Sequence, residues 1–598
     1  MASESEVSQF IPMRIHTERH WHQRTVVSAA GMKQTAQANQ INQADQRGAA
    51  PGVSALQTKL LALRGVVALE QAQAFLHARL KDIPDPLLLP DMPKAVERLL
   101  RAIDAGESIS IHGDYDVDGI SATALLYTAL EHFGARVTYN IPLRLRDGYG
   151  LNAAALERDA AAGASLVISV DCGISALTEA RLARNLGIDL IITDHHQPGT
   201  QLPPAYACIN PWLPASAYPY APLCGAGVAF MLVVGLCSAL RRQQKLTTST
   251  FDIRMLLDLV TLATIADIVP LTGVNRILVR AGLPLLEGDY RPGITRLREV
   301  AGVKEVTAGV VGFRLAPRLN AAGRLEDAAA GVELLLSSDL HHAQAIAAEL
   351  ERCNTERREI EATTLRHAQQ RVSAELCNSR RIIVLADSSW HAGVIGIVAS
   401  RLVELFHRPV ILIAIDAETG IGKGSGRSIR GFNLHLALKH SDMWLQGYGG
   451  HEMAAGLSID PTQIDAFAHA LEDYAQEHLA PEFLQPRLCF DLPLALDEIT
   501  PQLHEEIQLL APFGMGNPEP VFMSTAVNVQ QASVVGGGHL RFRVQSGGCS
   551  LPCIGFGLAH KLDILQGQID ILYQVDTNIW QGRTALQLKV KDVRPCLN

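Results

Sequence analysis

The 598-residue chain lacks the excess of basic residues that is typical of proteins whose whole surface binds nucleic acids. It has 52 Lys and Arg against 61 Asp and Glu, which gives a formal net charge of −9. Contact with a polyanion would therefore have to come from local positive patches. Clustered carboxylates that bind metal ions could account for part of the acidic excess.

Cysteine motifs and membrane-spanning runs are also missing. The ten Cys form no CxxC, and the closest pair is Cys549 and Cys553, so the sequence indicates neither a zinc site nor a disulfide framework. We expect reduced thiols and a cytoplasmic location. The longest apolar run, Gly225–Leu240, is shorter than the roughly 18–20 residues of a membrane span. We predict that it is a buried helix and that the protein does not bind membranes.

Residues 1–55 lack the apolar content of a folded domain. The stretch from Gln34 to Gln46 is rich in Gln, Asn and Ala, and we predict a disordered polar tail. At roughly 100–200 residues per domain, the rest of the chain is long enough for several domains.

Short apolar strands alternate with helices from about residue 95, which predicts a parallel sheet covered by helices on both faces. The predicted strands are Ser108–Ile111, Arg136–Ile141, Leu166–Val170 and Leu190–Thr193, and the first predicted helix is Ile120–Phe133. Residues 325–376 are rich in Ala, Leu, Glu and Arg and contain no Pro, so we predict that they form a helical connector.

A second α/β region follows the connector. Strands are predicted at Arg381–Ala386 and Val410–Ile415, on either side of a helix at Val394–Phe406. After about Cys489 the pattern changes to short strands and turns, which predicts a small β-barrel.

Acidic and imidazole side chains follow three strands of the first predicted sheet. Ligands of an open α/β sheet bind beyond the carboxyl ends of its strands, so these side chains are expected to meet at one edge. A further acid, Asp267, closes a predicted helix at Met255–Ala266. The complete set is His112, Asp114, Asp116, Asp118, Asp171, Asp194, His195, His196 and Asp267.

Converging carboxylates repel one another, and a divalent cation relieves that repulsion. Oxygen and imidazole ligands without thiolates suit Mn²⁺ or Mg²⁺ better than a structural zinc. The set is large enough for two ions that share a carboxylate, and two ions can activate water and stabilise both reacting oxygens at phosphorus. Taken singly, an Asp after a strand is usually a turn or helix cap, so this prediction depends on the whole set. Asp114 is the least secure ligand in this set, because capping of the turn is an alternative role for it.

The strand-end residues belong to an ordered series of motifs. The segments are His112–Gly119, Asp171, Asp194–His196, Leu223–Val228, Asp267, Pro317–Arg324, Gly424–Ser428, Gly449–His451 and Pro512–Pro520. This series resembles the DHH phosphoesterase family, and within it the exonucleases that degrade single-stranded DNA in the 5′→3′ direction. The resemblance covers roughly residues 60–598.

The resemblance implies a ligand set for two ions. The implied ligands are His112, Asp116 and Asp171 for one ion and Asp118, Asp171, His195 and Asp267 for the other. Asp171 would bridge the ions and is a catalytic candidate. His196 is the second catalytic candidate, because it would contact the scissile phosphate or protonate the leaving oxygen.

The resemblance also implies an α/β architecture in four parts after the tail. These are a DHH catalytic domain with a doubly wound parallel sheet at residues 56–324, a long helical connector at 325–378, a second α/β domain (DHHA1) that binds substrate at 379–480, and an OB-fold β-barrel that binds nucleic acid at 485–598.

Arg and Ser side chains and glycine-rich backbone are the expected phosphate contacts. The planar Arg guanidinium donates two parallel hydrogen bonds to a phosphate. Backbone N–H groups should be accessible in the glycine-rich loop that we predict around Ser425 and Arg427. The resemblance implies that Arg and Ser residues near the metals hold a 5′-terminal phosphate. On this basis the predicted substrate-binding residues are Arg144, Arg318, Asn320, Arg324, Ser425, Arg427, Gly449, Gly450 and His451. Taken alone, Arg144 and Arg318 could equally be solvated surface residues.

The C-terminal region has a local positive excess, with seven Lys or Arg and four Asp in residues 541–598. Aromatic residues lie near cations in this sequence, which is typical of barrels that stack the bases of single strands. The aromatic residues are Phe542, Tyr573 and Trp580, and the neighbouring cations are Arg541, Arg543 and Arg583.

We predict a two-metal exonuclease that degrades single-stranded DNA from the 5′ end as a monomer in DNA repair and recombination. A helicase and a single-strand-binding protein are the expected partners. One alternative is a phosphodiesterase for nanoRNA or cyclic dinucleotides, or a pyrophosphatase, although such small substrates need neither a long connector nor a barrel. Another is an inactive DNA-binding relative, which should have lost ligands, whereas none of the expected ligands is missing.

Overall fold

The computed structural model describes residues 19–25, 52–143, 148, 150–245, 251–325, 328–372, 379–580 and 583–596. The chain divides into two compact units. The first unit comprises Val26–Asn354 and Glu505–Glu519, and the second unit comprises Met1–Thr25, Thr355–His504 and Pro520–Asn598. Strand β1 (His20–Gln23) belongs to the second unit.

A five-stranded parallel sheet forms the centre of the first unit. Its strands are β2 (Ser108–His112), β3 (Arg136–Asn140), β4 (Ala164–Val170), β5 (Asp189–Thr193) and β6 (Ala207–Ile209), in the spatial order β3-β2-β4-β5-β6. All four neighbouring pairs are parallel. Parallel neighbours need crossover connections. Helices lie between β2 and β3, β3 and β4, and β4 and β5, whereas β5 and β6 are joined without a helix. The central strands are buried. The predicted doubly wound sheet is confirmed.

Helices surround this sheet. The α-helices are Ala55–Ala62, Leu69–His77, Met92–Ala105, Val117–His132, Ala153–Ala161, Leu177–Asn185, Gly225–Arg242, Leu257–Ala266, Gly273–Glu287, Pro292–Val300, Ala308–Val310, Ala316–Leu325 and Ala329–Leu336. The 3₁₀ turns are Leu80–Asp82, Pro86–Leu88 and Ile253–Leu256, and Val311–Leu315 is a π-helical turn.

The apolar helix Gly225–Arg242 lies in the core of the first unit. By length and composition it could cross a membrane, but 78% of its 18-residue window is buried against protein. Burial of this kind is typical of the core helix of a folded domain. The prediction of a buried helix is confirmed.

The predicted connector is not one continuous helix. The helix Ala329–Leu336 ends at Ser337, whose backbone is extended, and a second helix spans Leu340–Arg371. Asp339 Oδ1 accepts hydrogen bonds from the backbone N–H of His341 (2.6 Å) and His342 (3.1 Å). This carboxylate satisfies N–H groups of the first turn, so the chain starts a new helix here.

A mixed sheet forms the α/β part of the second unit. Its strands are β7 (Ile383–Asp387), β8 (Val410–Ile415), β9 (Gly422–Arg427), β10 (Leu445–Gly450) and β11 (Ala454–Ile459), in the order β10-β11-β9-β8-β7. Only β7 and β8 are parallel in this sheet. The α-helices are Ile395–Phe406, Leu434–His440 and Ile464–His478, and the 3₁₀ turns are Asp442–Trp444, Pro461–Gln463 and Pro481–Leu484. The residues of a further helix, Pro501–Gln508, are divided between the two units.

A closed barrel forms the C-terminal part of the second unit. Its strands follow β12 (Arg487–Phe490) and β13 (Leu492–Pro493) and are β14 (Phe522–Val535), β15 (His539–Ser546), β16 (Cys549–Gly555), β17 (Gln568–Trp580) and β18 (Arg583–Pro595), with 3₁₀ turns at Leu496–Glu498 and Ala559–Ile564. The order β14-β15-β16-β18-β17 closes through pairing of β17 with β14. The predicted OB-fold barrel is confirmed.

The N-terminal region contains an ordered strand, so the prediction of disorder is wrong for residues 19–25. Strand β1 pairs in parallel with β12. Trp21 Nε1 donates to Asp592 Oδ2 (2.9 Å), and the guanidinium of Arg594 lies 4.2 Å from the centroid of the Trp21 ring. One anchored Trp outweighs the polar composition on which the prediction was based. Residues 1–18 and 26–51 of the predicted tail lie outside the described residues.

The motif Pro512–Pro520 lies largely within a segment that folds with the first unit. Arg276 donates to the carbonyl oxygens of Leu509 (3.0 Å) and Leu510 (2.7 Å). Arg64 Nε donates to Asn517 Oδ1 (3.0 Å). These bonds fix the segment Glu505–Glu519 to helices at the start and middle of the chain.

Candidate metal centre

The loop after β2 carries three acidic side chains at the carboxyl edge of the parallel sheet. Two glycines let it fold tightly. A Cβ on Gly113 would lie 2.1 Å from Thr123 Oγ1, and a Cβ on Gly119 would lie 2.5 Å from the backbone N and O of Asp114. Side-chain carbons do not tolerate such contacts, so both positions require Gly.

Asp116 caps the helix Val117–His132. Its Oδ1 accepts hydrogen bonds from the backbone N–H of Asp118 (2.9 Å) and Gly119 (3.2 Å). Asp116, whose backbone is extended, is therefore the N-cap of this helix.

Asp114 instead joins a group of possible metal ligands. One carboxylate oxygen from each of Asp114, Asp116 and Asp171 lies within 4.8 Å of the others. Asp114 and Asp171 are buried, and Asp116 is partly buried. Asp171 thus connects the first loop to the end of strand β4, as the sequence predicted for the ends of neighbouring strands.

The carboxylate of Asp118 is held by the N-terminus of the apolar helix Gly225–Arg242. Its Oδ2 accepts from the backbone N–H of Gly225 (2.6 Å), and its Oδ1 accepts from that of Ala226 (2.7 Å). A helix N-terminus has N–H groups without helical partners and a positive end of its dipole, so it stabilises this buried carboxylate.

Asp171 adopts a backbone conformation that is uncommon for residues other than Gly. Its φ is +62°, in the left-handed region, which Asp tolerates better than most side chains. A Cβ on Gly225 would lie 2.5 Å from Asp171 Cβ. The absence of a side chain at Gly225 therefore lets the apolar helix pack directly on Asp171.

His195 brings together the second group of predicted ligands. Its Nε2 lies 3.0 Å from Asp171 Oδ1, 3.7 Å from Asp267 Oδ2 and 3.8 Å from Asp118 Oδ2. These four residues come from the segments after β4 and β5, the first turn of the helix Val117–His132 and the C-terminal end of the helix Leu257–Ala266. The structure thus places all four predicted ligands of the second ion around one point.

His112 has a different neighbour. Its Nε2 lies 2.5 Å from Asp159 Oδ2, on the helix Ala153–Ala161, and its ring is buried. Among the described residues, His112 is absent from the ligand groups that meet within 4.8 Å. A metal-binding His commonly bonds a carboxylate through its other nitrogen, so Nδ1 is the atom of His112 left for an ion.

Asp194 orients the catalytic candidate His196. Asp194 Oδ1 lies 2.7 Å from His196 Nδ1 and also accepts from the backbone N–H of His195 (2.7 Å) and His196 (3.1 Å). Its Oδ2 accepts from the backbone N–H of Ile174 (2.9 Å). This contact fixes the orientation of the His196 ring through Nδ1.

Burial and mutual repulsion perturb the titration of these groups. Burial, with a neighbouring carboxylate, raises the pKa of Asp118 to about 7 and that of Asp267 to about 9. The same two causes raise the pKa of Asp171 well above its ordinary value. Burial lowers the pKa of His195 to about 4. Although burial opposes it, the hydrogen bond to Asp194 raises the pKa of His196 to about 9.

These donors fit a hard divalent cation. Positive charge would relieve the repulsion among the buried carboxylates, which is the cost that raises their pKa values. Among the described residues, no Cys belongs to the ligand groups that meet within 4.8 Å. Carboxylate and imidazole donors without thiolates are typical of Mn²⁺ or Mg²⁺ sites.

Ser425 and Arg427 lie in strand β9, so the prediction of a glycine-rich loop is wrong. The glycines alternate along this strand and leave one face without side chains. A Cβ on Gly424 would lie 2.6 Å from Leu457 Cδ1, and one on Gly426 would lie 2.7 Å from Leu434 Cδ2. The glycines therefore admit bulky side chains from neighbouring elements, and a spacing of two residues is the period of a strand.

The other face of β9 is lined by backbone beside Ser425. Across the antiparallel strands, Ser425 is opposite Gly456 of β11, and Gly456 is opposite Gly449 of β10. A Cβ on Gly449 would meet no atom within 4 Å. Residues opposite one another share a face, so a ligand could approach this backbone closely.

A helix N-terminus completes this group, which we call the phosphate grip (Ser425, Arg427 and the first turn of Ile395–Phe406). A Cβ on Gly396 would lie 2.8 Å from Ser425 Oγ and 3.0 Å from Arg427 Nη2. Arg427 Nη1 donates to Ser425 Oγ (3.2 Å). A guanidinium, a hydroxyl and a helix N-terminus together favour an anion.

The remaining predicted substrate-binding residues differ in their intramolecular contacts. Arg318 donates to Glu351 through Nε and Nη2, so a phosphate would have to replace this ion pair. Asn320 Oδ1 accepts from the backbone N–H of Val117 (3.1 Å), which supports the start of the helix Val117–His132. Arg324 lies in the helix Ala316–Leu325.

Three further predicted residues complete the set. Arg144 lies outside the described residues. Gly450 has φ +132°, and its Cβ would lie 2.5 Å from Ala454 O, so this position requires Gly. His451 is exposed and its backbone N–H donates to Ala454 O (2.8 Å).

Two of the three candidate aromatic residues of the barrel, Phe542 and Tyr573, are buried and so are not available to stack on bases. Their exposed fractions are 1% and 0%, so both belong to the interior of the barrel. In β15, Phe542 alternates with Arg541 and Arg543, and this period of two places the aromatic ring inside and the cations outside. The side chain of Trp580 lies outside the described residues.

The contacts of Asp118, His112 and His196 were not predicted from the sequence. The segment Leu223–Val228 was recognised as a motif, but its role in holding Asp118 was not. Asp159 carried no signal, because it lies within an ordinary helix. Asp194 was placed at the strand end but was not assigned a role, although its position just before His195 and His196 is suited to orienting them.

Known families match three parts of the chain. Residues 108–264 match the DHH family, N-terminal domain. Residues 379–477 match the DHHA1 domain, and residues 490–592 match the RecJ OB domain.

Relatives and solved structures resemble nearly the whole chain. A protein of Dickeya dadantii (strain 3937), named single-stranded-DNA-specific exonuclease RecJ, is 40% identical over 562 residues, covering 90% of this chain and 96% of the relative. The crystal structure of RecJ in complex with Mn²⁺ from Thermus thermophilus has a TM-score of 0.78 and 31% identity, covering 97% of this chain and 80% of that one. The corresponding Mg²⁺ complex has a TM-score of 0.73 and 29% identity, covering 97% and 79%. Because this similarity extends over all three matched regions, the chain belongs to the RecJ family.

Proposed function

We propose that this chain is an exonuclease that hydrolyses single-stranded DNA from the 5′ end with two divalent cations. The observation that carries the proposal is the convergence of three carboxylates on His195 Nε2, at 3.0, 3.7 and 3.8 Å. The name of the Dickeya relative supports the substrate, and the Thermus complexes support Mn²⁺ or Mg²⁺ as the ions.

Two ligand groups that share Asp171 suit two ions. The proposed ligands are Asp114, Asp116 and Asp171 for one ion and Asp118, Asp171, His195 and Asp267 for the other. His112 would join the first ion only through Nδ1, because its Nε2 contacts Asp159. Bound ions would supply positive charge that favours deprotonation of a water molecule and stabilises the phosphate oxygens.

His196 is suited to act on the leaving group. Asp194 holds its Nδ1, and the side chain is 39% exposed, so the ring is accessible to a substrate. We assign to Nε2 a hydrogen bond to the scissile phosphate or donation of a proton to the leaving 3′ oxygen. Asp194 would act by fixing the orientation and tautomer of this ring.

The phosphate grip supports recognition of the 5′ end. A terminal phosphate carries more negative charge than an internal one, and Ser425, Arg427 and the helix N-terminus are suited to hold it. Gly449, Gly450 and His451 would contact the same strand through accessible backbone and an exposed imidazole.

The proposed division of labour follows the predicted domains. Residues 56–324 would hold the metals, 325–378 would connect, 379–480 would hold the 5′ phosphate, and 485–598 would bind the strand. We propose that the protein acts as a cytoplasmic monomer in DNA repair and recombination, with a helicase and a single-strand-binding protein as partners. A phosphodiesterase for dinucleotides is less well supported, because it would have no use for the barrel.

Product analysis on end-labelled DNA tests this function. A long 5′-phosphorylated single strand, labelled at either its 5′ or its 3′ end, is incubated with the protein and Mn²⁺. We expect early release of the 5′ label as mononucleotide and progressive shortening of the 3′-labelled strand, with little attack on the same sequence as a blunt duplex.

Each outcome is informative. Early release of the 3′ label would contradict the polarity, and hydrolysis of dinucleotides alone would favour the small-substrate alternative. A sample treated with a chelator should be inactive and should recover on addition of Mn²⁺. Activity that persists without divalent cations would contradict the metal assignment.

A further inference from the structure

Three large apolar side chains of the first unit are exposed near Asp267. The exposed fractions are 64% for Ile268, 87% for Phe313 and 55% for Met515. We call these residues the apolar rim. Single exposed apolar side chains are ordinary, but several in one place usually mark a binding surface.

Contacts between the supporting segments bring the apolar rim to the metal centre. Ile268 directly follows Asp267. A Cβ on Gly312, next to Phe313, would lie 3.7 Å from Ile265 Cγ2. The backbone N–H of Leu271 donates to the carbonyl oxygen of Met515 (2.8 Å). The three segments therefore meet at the C-terminal end of the helix that carries Asp267.

The backbone conformation of Ile268 indicates that its side chain has a role other than packing. Its φ is +59°, in the left-handed region, where a β-branched residue is an outlier. The residue after a helix C-cap commonly adopts this conformation, but it is usually Gly, which does so without strain. Since the Ile268 side chain is mostly exposed, packing within the first unit does not explain its presence.

We propose that the apolar rim binds unstacked nucleobases of the single strand next to the scissile phosphate. This inference rests on the proposed function. A strand whose phosphate reaches Asp267 must place its sugars and bases beside that residue, where Ile268 and Phe313 offer apolar contact. Aliphatic side chains insert between base steps, and aromatic rings stack on bases. Paired and stacked bases of a duplex cannot make these contacts, so the rim would favour single strands.

Binding to strands with and without bases tests the proposal. Affinity is measured by fluorescence anisotropy with Ca²⁺ in place of Mn²⁺, under conditions where gels show intact DNA. The ligands are a normal single strand and a fully abasic strand of equal length. We expect the double variant Ile268→Gly, Phe313→Ala to lose about tenfold or more in affinity for the normal strand and less than about twofold for the abasic strand.

The variants provide their own controls. Ile268→Gly should leave the melting temperature unchanged or raised, because Gly adopts this φ readily. Leu69→Ala removes an exposed apolar side chain elsewhere in the first unit and should leave both affinities unchanged. Equal losses on both strands, or no loss on either, would overturn the proposal. Wild-type protein that does not hydrolyse single strands with Mn²⁺ would instead overturn the proposed function.

Discussion

The metal centre and the phosphate grip present opposite electrostatic problems. In the metal centre, buried carboxylates such as Asp171 and Asp267 crowd together, and repulsion raises their pKa values. In the phosphate grip, Arg427 bonds Ser425 beside a helix N-terminus, so the charge there is positive. The metal centre is therefore suited to bind cations, which metal ions would supply. The phosphate grip is suited to bind an anion, which a DNA strand would supply.

This difference predicts different consequences of mutation. A group in the metal centre has several roles at once, since it repels its neighbours in the free protein and binds ions in the active one. A group in the phosphate grip has one role, which is to recognise the strand end. Loss of a carboxylate should therefore abolish turnover, whereas loss of the guanidinium should alter the choice of substrate.

The largest effect is expected for Asp171→Asn. This residue is shared by both ligand groups, so removal of its charge should weaken both ions. We expect a fall of about 1,000-fold or more in the rate of single-strand hydrolysis with saturating Mn²⁺. The measurement is the initial rate on a 3′-labelled, 5′-phosphorylated strand.

Asp416→Asn is the matched control for that substitution. Asp416 also follows a strand, β8, but its Oδ1 accepts from the backbone N–H of Glu418 and Thr419 (both 2.9 Å), so it caps a turn. This variant should keep wild-type activity. An active Asp171→Asn enzyme would show that the two ligand groups do not form the catalytic centre.

The position of Asp171 was predictable, because topology alone determines it. Parallel strands end at one edge, so Asp171 after β4 and His195 after β5 had to come close whatever the details of packing. The same argument placed the loop after β2 beside them. Sheet topology does not determine the position of Asp267, because that residue lies at the end of a helix. Its assignment as a ligand came from resemblance to a known family.

Other features could not be predicted in this way. The hydrogen bonds from Gly225 and Ala226 to Asp118 join residues more than 100 positions apart. No local sequence pattern predicts such a contact. Phe542 is a different case. Alternation with Leu540 and Val544 predicts an inward ring, so proximity to Arg543 in the sequence does not by itself indicate contact with a base.

A smaller effect is expected for Arg427→Ala, which tests the phosphate grip. The wild type should prefer a 5′-phosphorylated strand to a 5′-hydroxyl strand, because Arg427 can donate two hydrogen bonds to the terminal phosphate. We expect this preference to fall by about 10- to 100-fold in the variant. A loss of this size corresponds to the free energy of hydrogen bonds to a charged group. The measurement is the ratio of kcat/KM on the two strands.

Lys423→Ala is the control for a general effect of charge. Lys423 lies on the same strand and the same face as Arg427 but is exposed to solvent. Its loss should weaken both strands equally and leave the ratio unchanged. Arg427→Lys should restore part of the preference, since a Lys ammonium keeps the charge without the planar pair of donors. A normal ratio in Arg427→Ala would remove the phosphate grip from the proposal.

The smallest effect concerns stability without metal. The folded-state pKa values of Asp118 (about 7) and Asp267 (about 9) exceed the ordinary value of 3.8. Each carboxyl therefore holds its proton more tightly when folded, so its stabilising contribution is complete below pH 3.8 and is lost as the pH rises through 7 and 9. We expect the melting midpoint of metal-free protein to fall by about 2–4 °C for each kcal/mol lost between about pH 4 and 9. Saturating Mn²⁺ should flatten this decline, because cations offset the carboxylate charges.

Asp267→Asn tests the cause of the decline. This variant should reduce the slope of melting midpoint against pH in metal-free protein. An unchanged slope would show that repulsion at the metal centre does not cause the decline.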